Sequence, residues 1–134
     1  MLTPDVDTLR LGLHLLAASV WVGGQLVLGA LLPVLRKAGP DVPRAAARTF
    51  SRVAWPAFAV LVATGIWNLA EVDFLDAGSD YQATVFAKLL LVAAAAIAVI
   101  VHSLGRSRTA LAIGGAVGLL ASLAAFVLGV LLRS

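Results

Sequence analysis

Chemistry in this chain has to come from few side chains: His14, Trp21, Gln25, Trp67, Asn68, Lys88 and His102 all stand inside or at the ends of long apolar runs. Neutral imidazole is a good transition-metal ligand, and an ammonium group pairs with anionic edges of a ligand. Ionisable groups are costly to bury in hydrocarbon, so each is a candidate for function. Three of these residues, His14, Trp21 and Gln25, share the first apolar run at spacings of seven and four. At 100° per residue they fall within roughly 20° of one another on a helix. The spacing therefore predicts one polar line that faces protein instead of lipid, although Trp21 by itself suits plain packing.

The elements that must position these groups are membrane helices. The chain is 61% hydrophobic and 13% charged, and its mean hydropathy is +1.01. Ordinary soluble domains carry roughly 25% charged residues. We expect an all-α integral membrane protein, a single four-helix transmembrane bundle occupying residues 1–134, with spans at about 11–35, 53–70, 83–104 and 109–132. A helix needs ~20 apolar residues to cross a bilayer. The first run is too long for a signal-peptide core and is expected to stay in place as a span. Asp7 or Thr8 is expected to cap it, and Pro33 falls in its last turn.

A sequence pI near 10.2 raises the question of nucleic acid. The basic residues sit between apolar runs, where they set orientation instead. Arg36, Lys37, Arg44, Arg48, Arg52, Arg106 and Arg108 occupy the first and third loops, whereas Glu71 to Asp80 holds four carboxylates and no base. Both termini should therefore face outside. Gly39 and Pro40 predict a turn, with Arg44, Arg48 and Arg52 on one face of a separate short helix. Ser79 and Gln82 resemble a capping box for the third span. Ala110, Gly114, Gly118 and Ser122 repeat every four residues and predict close helix packing; Gly114, Gly118 and Ser122 also offer a face for a homo-oligomer.

Depth sorts the polar groups. His14 is ~13 Å from the middle of its span on the outer side, and His102 is ~25 Å from it along the membrane normal. Ligands of one metal ion sit within ~4 Å of each other, at bond lengths of ~2 Å. One site shared by the two histidines is not expected, and His102 is expected to be interfacial. The outer set is His14, Trp67, Asn68 and Lys88, with Trp21 and Gln25 below. His14 is the metal ligand of this set, and no catalytic residue is assigned. Lys88 and His14 each also have a bland reading, the first as a snorkelling cation and the second as a hydrogen-bonded bundle residue.

LHLLAASVWVGG, ARTFSRVAWPAFAVLVATGIWNL and FAKLLLVAAAAIAVIVH resemble the first three helices of the CopD copper-resistance domain. The HemJ type of protoporphyrinogen oxidase is a similar four-helix protein with His on the first helix and Lys on the third. The resemblance implies copper handling in the cytoplasmic membrane, with His14 and Lys88 at the family positions. Copper(I) favours thiolate and thioether ligands, whereas this chain has no Cys and only Met1. Copper(II) accepts imidazole together with Asp or Glu of the outer loop. Haem b on one axial imidazole is the rival expectation. A bundle without cofactor, serving as a scaffold or a complex subunit, is the third.

Overall fold

The computed structural model describes residues 1 and 3–133. Its helices are α1 (Val6–Ala18), a π-helical turn (Ser19–Gly23), α2 (Gly24–Ala38), α3 (Val42–Glu71), α4 (Ser79–Leu104) and α5 (Arg108–Leu131). α1, the π turn and α2 form one continuous rod, Val6–Ala38. Among the described residues, four helices are long and apolar enough to cross a membrane: this rod, α3, α4 and α5. The expected class, all-α with four spans, is the class observed.

Side-chain placement follows from a hydrocarbon solvent. Leu16, Phe86, Ile97 and Leu120 are exposed, whereas the buried set is dominated by Ala17, Ala54, Ala95, Ala98, Ala121 and Ala125. Large apolar groups gain nothing by leaving lipid, so small residues that let backbones approach take the contacts. The chain divides into two compact units, Met1–Asp73 and Phe74–Ser134.

In the first unit Asp5, not Asp7 or Thr8, caps α1. Its Oδ1 accepts from the Thr8 amide at 2.8 Å and from the Thr8 hydroxyl at 2.7 Å. The rod runs antiparallel to α3, with His14 against Thr64 near one end of the pairing and Trp21 against Trp55 and Phe58 further along. α3 is a single 30-residue helix, so the expected short helix around Arg44, Arg48 and Arg52 is instead its first turns. The physical reason is visible at Gly24. A Cβ built there would overlap the ring of Phe50, so Phe50, between Arg48 and Arg52, docks directly on the backbone at the start of α2 and packs this part of the chain as helix against the rod. Pro56 sits within α3 without ending it.

The second unit is a helical hairpin. Gly78 is the N-cap of α4 and makes no side-chain cap bond. The expected capping box does not form, because Gln82 reaches past the cap and donates its amide to the Phe74 and Leu75 carbonyls at 2.9 and 3.2 Å. Ser107 caps α5 by accepting from the Ala110 amide. A Cβ on Gly114 would lie 2.9 Å from the His102 nitrogen and 3.0 Å from the Ala98 oxygen, and one on Gly118 would lie 3.1 Å from Val99 Cγ2. The small-residue face at Gly114 and Gly118 is thus turned to α4, as close helix packing requires.

Candidate functional site

The acidic end of the first unit gathers the polar groups. His14 Nδ1 is 2.9 Å from Thr64 Oγ1. Thr64, 4% exposed, donates its one hydroxyl hydrogen back into its own helix, to the Val60 carbonyl at 2.7 Å with the Leu61 carbonyl at 3.1 Å. With that hydrogen committed, the oxygen is left as an acceptor, so Nδ1 carries the hydrogen of the pair. In the neutral ring the lone pair then belongs to Nε2. Gly65 leaves room beside the ring, since a Cβ there would be 3.7 Å from His14 Cε1.

One turn toward the acidic end from His14 stands Arg10, which the sequence marks only as the charge that bounds the apolar run. Its Nη2 is 3.0 Å from Asp7 Oδ1 and its Nη1 is 3.8 Å from Glu71 Oε1. Its guanidinium carbon lies 5.7 Å from the centre of the Trp67 ring, a cation–π arrangement. Trp67 Nε1 in turn donates to Glu71 Oε1 at 3.3 Å. Asn68, one turn from Thr64 on the same side of α3, has a buried Oδ1 with no hydrogen-bond partner. Trp67 and Asn68 therefore lie at this end of the rod, and Arg10, Thr64 and Gly65 join them there. Arg10 at i−4 from His14 is the one signal in the sequence that marks it.

Trp21 and Gln25 serve packing and backbone needs. Trp21 is 3% exposed, 4.5 Å from the Phe58 ring centre and 5.4 Å from that of Trp55. Gln25 donates its amide to the Trp21 carbonyl at 2.9 Å. That bond crosses the π turn, a widened turn of the kind found at functional sites.

Lys88 belongs to the second unit. Its Nζ lies over Gly129, where a Cβ would be 3.1 Å away. Gly129 falls in the last turn of α5, where the helix dipole favours a cation. His102 is fourteen residues further along α4, ~21 Å by helix rise. Its Nδ1 is hydrogen-bonded to the Leu111 carbonyl, so that nitrogen carries the hydrogen. Its ring packs on Gly115, which accounts for His102 as a residue tying α4 to α5.

Among the described residues no group of three or more His, Asp or Glu is gathered in the manner of a metal cage. The site offers one imidazole, a cation, an indole, an amide and the carboxylates of Asp7 and Glu71 beside the cation. No family model matches the chain, and neither a curated protein nor a solved structure matches it.

Proposed function

We propose that this is a cytoplasmic-membrane protein holding a redox-active metal centre on His14, and that b-type haem is the centre its neighbours suit best. The observation that carries the reading is the Thr64 bond to His14. A metal-binding imidazole commonly donates its other nitrogen to a fixed acceptor, which sets tautomer and ring orientation, and Thr64 has this relation to Nδ1. Haem asks the protein for one or two axial ligands and a pocket, not a cage of donors. His14 would hold it through Nε2, and Thr64 would orient the ring. Bound haem would supply one-electron chemistry.

Copper is the second reading, supported by the likeness to CopD helices. A copper(II) ion would take His14 Nε2 with a carboxylate of Asp7 or Glu71, both of which now lie beside Arg10. Arg10 already pairs with both carboxylates, so a copper ion would have to take them from the guanidinium, which ranks copper second. A scaffold role, with a second copy of the chain as partner, is the remaining class.

An optical spectrum of gently purified protein tests these readings. A b-type haem band that His14→Ala removes and that His102→Ala leaves in place is the expected result. Bound copper without that band turns the assignment to the copper reading. Protein free of both overturns a metal centre altogether.

A further inference from the structure

The charge at Arg10 is incompletely satisfied. Its side chain is 11% exposed, and its Nε and Nη1 are buried with no hydrogen-bond acceptor. The Glu71 oxygen at 3.8 Å from Nη1 is at ion-pair distance but beyond hydrogen-bond distance. Asn68 Oδ1 is orphaned too. Buried polar atoms are nearly always paired, and an unpaired donor on a cation is costly. The register puts these atoms together: His14 faces Thr64, and one turn toward the acidic end Arg10 is at i−4 on α1 and Asn68 at i+4 on α3. The unpaired atoms thus lie one turn beyond the imidazole that Thr64 orients.

We infer that Arg10 and Asn68 bind an oxyanion, a carboxylate or a phosphate, belonging to a ligand seated against His14. Arg10 gives charge-assisted N–H bonds, and a half-turn of the Asn68 amide presents its NH₂ group to the same space. Glu71 is the group displaced. Its side chain is 55% exposed and makes no hydrogen bond to the guanidinium, whereas Asp7 keeps Nη2. This inference rests on the reading of His14 as a ligand, and the same oxyanion chemistry has two sources, a haem propionate or a phospholipid headgroup.

Haem and haem dimethyl ester, whose propionates are esterified, separate the sources when titrated into the detergent-solubilised full chain. The ester should bind the unaltered protein about 10- to 100-fold more weakly than haem, the range for one charge-assisted hydrogen bond. Arg10→Gln should remove most of that difference, and Glu71→Gln should tighten haem by deleting the competing carboxylate. Equal affinity of haem and ester, with binding still lost in His14→Ala, overturns the inference and leaves the His14 reading standing. Binding of neither compound refutes the haem reading instead and leaves the headgroup as the source of the oxyanion. The site then stands or falls on phosphatidylglycerol: retention through delipidation that Arg10→Gln and Asn68→Leu abolish supports it, and no retention overturns it. Circular dichroism of each variant separates lost binding from lost folding.

Discussion

Replacing Thr64 by Val keeps the shape of the side chain and removes only the hydroxyl. Its effect follows from the bonds that hydroxyl makes. The oxygen accepts from His14 Nδ1 at 2.9 Å and donates to the Val60 carbonyl at 2.7 Å. The second bond is expendable, because a helical carbonyl also has its backbone partner. Removing the first takes the acceptor from a part-buried N–H, which costs about 1–3 kcal/mol. It also frees the ring to exchange its hydrogen between nitrogens. On the affinity of whatever binds Nε2 the effect is that of a partner behind a metal ligand, typically 10- to 100-fold, or about 1.4–2.8 kcal/mol. Thr64→Ser keeps the oxygen and should retain most of the affinity. Haem titration followed in the visible band gives the affinity, and nitrogen NMR of labelled histidine gives the tautomer. Thr64→Val with affinity within twofold of the unaltered protein and the Nδ1–H form still dominant would refute the role assigned to Thr64.

Three other outcomes follow from the same structure. Gly114→Ala should destabilise the α4–α5 hairpin by about 1–3 kcal/mol, because the new methyl meets backbone atoms of α4; Gly115→Ala meets only the His102 ring and should cost less, as thermal unfolding in detergent would show. Cysteines placed by Gly39→Cys and Gly78→Cys should label from opposite sides of the membrane, and labelling of both by an impermeant reagent from outside defeats the four-span topology with external termini. The Thr8 amide, then the Thr8 hydroxyl, hold the Asp5 carboxyl below the ordinary carboxylate range. Asp5 therefore supports the first turn of α1 at neutral pH, and that support is lost as pH falls through its lowered value. Protection of the Thr8 amide, its exchange rate taken relative to the intrinsic rate at each pH, should fall there in the unaltered protein, while Asp5→Asn flattens the dependence.

The four spans were legible because hydropathy is a property of composition, and no tertiary contact is needed to recognise a run that lipid accepts. Boundaries were less legible where a helix is carried onward by a contact. Arg44, Arg48 and Arg52 read as a separate solvated helix until Phe50 is seen on Gly24, a packing that makes the same residues the opening of α3. The π turn hid for a related reason. The apolar run around Trp21 has no polar period that marks one extra residue, so a constant 100° per residue carries the line from His14 to Gln25 straight through it. The chemistry divides in the same way. His14 announces itself by type, because imidazole in an apolar helix is expensive, whereas Thr64 resembles any membrane-helix threonine that bonds to its own backbone. That local bond uses the hydroxyl hydrogen and leaves the oxygen to accept from Nδ1. Arg10 does not stand out in the sequence for want of one fact, the antiparallel register that sets His14 against Thr64. Given that register, Arg10 and Asn68 each stand one turn further toward the acidic end. The same pairing that orients the imidazole thus leaves the buried donors of Arg10 and the amide of Asn68 beside it.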